Sequence, residues 1–121
     1  TSFADGYPIL ITGEESLKQL NEFTNEKIVM GRFRSNIVFE GGNAFDEDNF
    51  KEFSINDTQL VGVKPCARCI LININPEDLT VGKEPLKTLS TFRKVGNKIM
   101  FGQNLVVLKP GTIKVGDSLI F

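Results

Sequence analysis

Turn-forming residues cut this sequence into short pieces, and that punctuation constrains its fold more than any other feature. Gly41-Gly42-Asn43, Asn56-Asp57, Gly96-Asn97, Pro110-Gly111 and Gly116-Asp117 each mark a reversal of the chain. Glycine supplies the positive φ that tight turns need, and Asn and Asp tolerate it. Between the turns lie apolar and β-branched runs that read as strands: residues 7–12, 32–40, 52–55, 59–63, 70–75, 98–101, 105–109, 112–115 and 118–121. In 32–40 the alternation sends Phe33, Ile37 and Phe39 one way and Arg32, Arg34 and Asn36 the other. In 70–75 Ile70, Ile72 and Ile74 alternate with Leu71, Asn73 and Asn75, which predicts a strand directly after Cys69.

Two segments break this pattern. Thr12 and Glu15 have capping-box spacing ahead of a helix over 14–23 that carries Leu17 and Leu20. Pro85 suits the first turn of a second helix, with Leu86, Leu89 and Phe92 as its apolar stripe. Residues 44–50 read as a short helical turn. The expected fold is mainly β, an antiparallel β-barrel with a few short helices.

The chain has 121 residues, enough for one domain and one core. Ten Phe and a 40% hydrophobic share supply that core. A formal net charge of −1 gives no electrostatic reason to expect nucleic acid or an anionic membrane as partner. No apolar run approaches the length of a membrane-spanning helix. The chain opens on Thr1-Ser2-Phe3-Ala4-Asp5 without an initiator Met and leads at once into an apolar run, so it reads as a piece of a longer protein.

Chemistry concentrates at Lys64-Pro65-Cys66-Ala67-Arg68-Cys69, which holds both cysteines of a chain without histidine. Structural zinc requires four Cys or His ligands, which one chain of this composition cannot supply. A thioredoxin-type pair places its first thiol at a helix N-terminus, and a strand is expected here instead. Two readings remain from the residues alone: small side chains filling the entrance to a strand, or one thiolate serving as ligand to a soft metal. Arg68 beside the thiols favours the second, because a cation stabilises the thiolate that binds metal and its fork suits phosphate oxygens. An ordinary ion pair would equally account for Arg68. Two cysteines without a disulfide framework point to a reducing, cytoplasmic setting. The acidic run Asp46-Glu47-Asp48 lacks the glycine and terminal Glu of a calcium loop, and reads as a solvated helix start.

Seven motifs in order resemble one family. They are Phe3-Ala4-Asp5-Gly6, Arg32-Phe33-Arg34-Ser35-Asn36-Ile37-Val38, Ala44-Phe45-Asp46-Glu47-Asp48, the cysteine motif, Glu84-Pro85-Leu86-Lys87-Thr88-Leu89, Phe101-Gly102-Gln103-Asn104 and Gly111-Thr112-Ile113-Lys114-Val115-Gly116-Asp117. Over nearly the whole chain this is similar to the MOSC domain, named for the C-terminal domain of molybdenum cofactor sulfurase. The subgroup resembled is that of the mitochondrial amidoxime-reducing component and its bacterial relatives.

The resemblance implies a MOSC-type β-barrel that binds the molybdenum cofactor, a pterin dithiolene with a phosphate tail. Cys69 would be the catalytic centre's metal ligand, and Cys66 structural. Arg34, Asn36, Ala67, Arg68, Asn104, Gly6 and Tyr7 would line the cofactor, the last two as part of the Asp5-Gly6-Tyr7 loop. Ser35 stands where the family usually has Pro, Ala67 where it often has Ser or Pro, and Phe50 where Trp is common. The implied reaction is two-electron reduction of small N-hydroxylated compounds, fed by an iron–sulfur or haem donor. The rival role is a sulfur carrier that delivers persulfide to a metal centre. Relatives with sulfurase activity carry a pyridoxal-phosphate domain, which nothing here resembles. An N-terminal β-rich domain of relatives would add basic contacts, so residues 1–121 alone are expected to be apo and inactive.

Overall fold

The computed structural model describes residues 2, 3 and 6–121, the side chain of Ser2 excepted. Its elements run β1 (Ser2–Phe3), β2 (Pro8–Gly13), α1 (Glu14–Phe23), β3 (Ile37–Phe39), β4 (Glu52–Ile55), β5 (Thr58–Arg68), α2 (Leu86–Phe92), β6 (Lys94–Val95), β7 (Lys98–Lys109), β8 (Gly111–Thr112) and β9 (Leu119–Ile120). One-turn 3₁₀ segments occupy Met30–Phe33, Asp46–Asn49 and Ile70–Asn73. The fold is mainly β, as expected. One sheet runs β3-β2-β7-β5-β4-β9, with β6 also on β7, and curls into half of a barrel. All its pairs are antiparallel except β2 with β3. β1 and β8 form a separate antiparallel pair.

The curl is set by the long pair β5·β7. Its register shifts three times, between Gln59 and Leu60, between Gly62 and Lys64, and between Pro65 and Ala67. The second shift leaves Val63 as the extra residue of β5; the third places its extra residue on β7, at Gly102 or next to it. Bulges of this kind bend a strand and increase its twist. Gly102 has φ +89°, and a Cβ there would lie 2.8 Å from Leu10 Cδ1 and 3.0 Å from the Ile11 carbonyl oxygen. The expected strands 98–101 and 105–109 are therefore one strand bent through Gly102, not two.

Two apolar cores lie on either side of this bend. One holds Ile9, Ile11, Phe53, Leu60, Leu105 and Val107 inside the curled sheet. The other holds Leu20, Ile28, Phe33, Ile72, Leu89 and Phe101 beneath the helices. In the second, Phe33 and Phe101 stack at 3.9 Å between ring centroids. The helix over 14–23 and the Leu86, Leu89, Phe92 stripe are borne out.

Four local expectations are corrected. Residues 32–36 are not strand: Met30–Phe33 is a 3₁₀ turn and Arg34 is left-handed, with φ 56°. That turn buries Phe33 against Phe101 and buries Arg32, whose Nη1 donates to the Glu84 carbonyl at 3.3 Å. Residues 70–73 are a 3₁₀ turn because Asn73 is buried as a bracket. Its Oδ1 accepts from the Leu86 N–H at 3.1 Å and its Nδ2 donates to the Gly82 carbonyl at 3.1 Å. The strand argument against a redox pair thus falls; Cys69 precedes a single turn, whose dipole is small.

The capping box at Thr12 does not form. Gly13 is the N-cap, and Thr12 Oγ1 lies instead 2.6 Å from Ser35 Oγ. Glu47 supplies the cap from a distance: its Oε2 accepts from the Gly13 N–H at 3.0 Å and from Ser16 Oγ at 2.7 Å. The acidic run is therefore not a solvated helix start. Glu47 is fully buried, and Asp48 pairs with Arg93 at 2.7 Å. Burial pushes the Glu47 carboxyl above its ordinary range, against the two bonds that favour its charge.

Candidate functional site

The bulges of β5·β7 decide which side chains reach the surface together. Past Val63, Lys64 stands opposite Asn104 on β7, and Asn104 stands opposite Leu10 on β2. Asn36 joins the same row: its Oδ1 accepts from the Leu10 N–H at 2.8 Å, and its own N–H donates to the Leu10 carbonyl at 3.0 Å. Asn36, Leu10, Asn104 and Lys64 thus cross the sheet in one line. A shallow groove of about 470 Å³ lies over this line, lined also by Pro8, Val63 and Val106.

Arg68 ends β5, four residues beyond Lys64 and so roughly 13 Å along the strand. Arg68 is half-buried, and its Nη2 donates to the Phe33 carbonyl at 2.7 Å. Its guanidinium also sits 5.8 Å from the centroid of the Phe33 ring. Its Nη1 is buried without a hydrogen-bond partner among the described residues. Burial holds the Arg68 guanidinium below the ordinary arginine value; Cys66 and Cys69 oppose that shift, and Arg34 adds to it. The two arginines and two thiols therefore lie within electrostatic reach of one another. Cys69 is exposed and Cys66 half-buried, both as free thiols.

Of the residues expected from sequence, Arg34, Arg68 and Cys69 gather at one end of this strip, and Asn36 and Asn104 along it. Ala67 is exposed between the two thiols, paired in register with Met100. Gly6 and Tyr7 border the far end, where the Gly6 N–H donates to Val107 O at 2.9 Å and Tyr7 O accepts from the Val107 N–H at 3.3 Å. Asp5 lies outside the described residues. Ser35, which stands where the family usually has Pro, ties its loop to β2 through Thr12. Lys64 is a site residue that the cysteine motif alone does not single out; Gly62 and Pro65 within a strand run are the sequence signal of a bulge that exposes it.

The arrangement offers one accessible soft thiol, two cations beside it, and a strip of amide and ammonium donors leading away. That donor set suits an elongated anion carrying a soft metal. Among the described residues no cluster of three or more Cys, Asp or Glu could enclose a metal ion. Nor is any helix of the described residues long and apolar enough to cross a membrane.

A family model described as "MOSC domain" matches residues 1–120. The chain belongs to the MOSC domain family. This MOSC domain is 39% identical to mitochondrial amidoxime-reducing component 1 of Homo sapiens, over 98% of this chain and 38% of that protein. It is 37% identical to molybdenum cofactor sulfurase of Arabidopsis thaliana, over 84% of this chain and 14% of that protein. The MOSC domain thus spans less than two-fifths of the length of these relatives. Among solved structures, YiiM from Geobacillus stearothermophilus superposes with a TM-score of 0.68 at 17% identity, over 99% of this chain and 60% of that one, which supports the fold.

Proposed function

We propose that this chain is the cofactor-binding domain of a molybdenum-dependent reductase of N-hydroxylated compounds. The observation that carries the reading is an exposed thiol, Cys69, beside the half-buried guanidinium of Arg68, which interacts with the Cys66 thiol while its Nη1 makes no well-formed hydrogen bond among the described residues. A guanidinium nitrogen so placed is better satisfied by an anionic ligand than by a thiol. The molybdenum cofactor, with its soft metal and anionic pterin tail, requires both features, so the residues fit the group.

Cys69 would hold the metal through its thiolate. Arg34 and Arg68 would neutralise negative charge beside it, and Arg68 is held in place for that by Phe33 O. Asn36, Asn104 and Lys64 would bind the polar body along the strip, with Gly6 and Tyr7 at its end. Ala67, without a polar side chain, leaves its backbone alone to make contact. When bound, the cofactor supplies the two-electron chemistry that cleaves an N–O bond. Reduction of R–NHOH to R–NH2 and water consumes two electrons and two protons. Residues 1–121 hold two cysteines and no histidine, too few for a four-cysteine cluster. The electrons would come from an iron–sulfur or haem donor outside these residues. Two free thiols support a reducing compartment; the cytoplasm meets that requirement, and so does the mitochondrial setting named for the relatives.

Further contacts to the cofactor come from outside residues 1–121, in keeping with the greater length of the relatives. Metal analysis tests the reading on the protein at its full natural length, purified from a host that makes the cofactor. About one molybdenum per chain is expected, lost in Cys69→Ala and kept in Cys66→Ala. Cyanide-labile sulfur on a cysteine without molybdenum would overturn the reductase in favour of a sulfur carrier. Stoichiometric cofactor on residues 1–121 alone would refute the need for outside contacts.

A further inference from the structure

The sheet that carries the site is open on its other side. β3 pairs with β2 alone and β9 pairs with β4 alone, so each presents a free strand edge among the described residues. One trough of about 810 Å³ lies between these two edges. Its floor is the unsealed side of the first core: Ile37, Phe39 and Leu119 are only partly buried, and Phe50 lies beneath them. Val38 and Ile120 stand exposed along the two edges. Its rim is acidic. Glu14, Glu40, Asp46 and Asp117 line it against the single cation Lys114, and Lys18 feels the charge of Glu14 and Glu40 from outside.

We infer that this trough is a strand acceptor: it takes one extended segment whose apolar side chains face the floor and whose alternate residues are basic. Each element of that description has its own cause. Two free edges offer unpaired backbone groups to an added strand, which is how extended segments augment sheets. An apolar floor selects apolar residues at every second position, because side chains of a strand alternate. The carboxylates at the rim select Lys or Arg at the positions between, and disfavour acidic ones. The occupant is a segment of the same protein outside residues 1–121, since the relatives are more than twice as long and an unsealed core of this size favours a permanent covering. The trough lining includes no residue of the cysteine motif and shares only Asn36 with the groove, so the inference does not depend on the proposed activity.

Amide chemical shifts of the isotope-labelled chain test this with a capped peptide of alternating Val and Lys as probe. Saturable shifts are expected at Ile37, Val38, Phe39, Leu119 and Ile120. A peptide of alternating Val and Glu should bind at least tenfold more weakly, and Glu40→Lys in the chain should weaken the Val/Lys peptide at least threefold. Glu40 is an exposed residue with no role in the proposed site, so that variant tests the rim without threatening the fold. Equal binding of the two peptides, no saturation at millimolar peptide, or shifts confined to the cysteine motif would each overturn the inference. So would shifts at the two edges that follow protein concentration without peptide, because a second copy would then be the occupant.

Discussion

Replacing Gly62 with alanine tests whether the bulge that exposes Lys64 depends on close backbone contact. A Cβ at position 62 would lie 2.0 Å from the Phe50 carbonyl oxygen and 3.0 Å from its carbon. Both are backbone atoms, so no rotamer relieves the overlap, and the chain from Glu47 to Lys51 must move away from β5. The Gly62 N–H bond to Lys51 O, at 3.1 Å, would stretch with it. Gln103 Nε2, which donates to Glu47 O at 3.0 Å and Asp48 O at 3.1 Å, lies on the same contact. Overpacking of this kind costs about 1–3 kcal/mol, and a lost backbone bond about 1 kcal/mol more. Alanine recovers roughly 0.4–1 kcal/mol through the less flexible unfolded chain. The net expectation is a loss of about 1–3.5 kcal/mol. With roughly 2.1 cal/mol/K of unfolding entropy per residue, that lowers the Tm by about 4–14 °C.

Urea unfolding followed by circular dichroism reads the stability, and Gly31→Ala is the control. A Cβ at Gly31 meets nothing within 4 Å, and its φ is not positive. That variant should match the parent or exceed it by up to about 1 kcal/mol. A Gly62→Ala chain as stable as Gly31→Ala would refute the close approach of β5 to Phe50, and with it the account of how Lys64 reaches the groove.

Asn73→Ala should destabilise the chain by about 2 kcal/mol, because it removes two part-buried bonds, one to the Leu86 N–H at the start of α2 and one to the Gly82 carbonyl; unchanged urea midpoints would contradict this. Glu47→Gln should flatten the pH dependence of stability. The folded chain holds the Glu47 proton more tightly than the unfolded chain does, so stability is highest below the unfolded pKa of about 4.3 and falls as pH rises through the raised folded value. Parallel stability profiles for parent and variant between pH 4 and 8 would contradict that. Arg68→Met should cost the cofactor-free chain only about 1 kcal/mol: it loses the bond to Phe33 O and the ring contact, but removes a buried nitrogen that lacks a partner. If the proposed function holds, the same variant of the full-length protein should lose most of the molybdenum that the parent binds; retention of the metal would remove Arg68 from the site.

The fold class was legible because it follows from turn residues, which act locally. The helix over 14–23 was legible from its apolar spacing, but not its cap. That cap comes from Glu47, and no local pattern announces that an acid thirty-odd residues away will be buried against Gly13 and Ser16. The same limit explains residues 70–73, where strand alternation was plain and yet the buried Asn73 bracket prevailed. At the site, Arg34 and Asn36 were expected on one face of a strand. They do face the site region, but through a left-handed Arg34 and an Asn36 side chain bonded to Leu10. Alternation named the residues while tertiary contacts supplied the geometry.

Those exceptions share a cause that bears on mechanism. Arg34 is left-handed, Val63 is extra in its strand, and Gly102 has a positive φ on the strand opposite. Each departs from regular structure, and behind Gly102 and Arg68 the packing is dense. Behind Arg68 stands Phe33, stacked on Phe101 at 3.9 Å, with Phe45 edge-on to Phe101 and Arg93 4.0 Å over Phe45. The Phe33 carbonyl and ring, seated on this stack, hold Arg68 in place before any ligand arrives, so little reorganisation of that side chain would accompany binding. That is the property the proposed cofactor site needs, since its task would be to orient and neutralise rather than to react. It also makes Cys69 the sole exposed thiol at the end of a prearranged strip, and separates it from the half-buried Cys66 only three residues away.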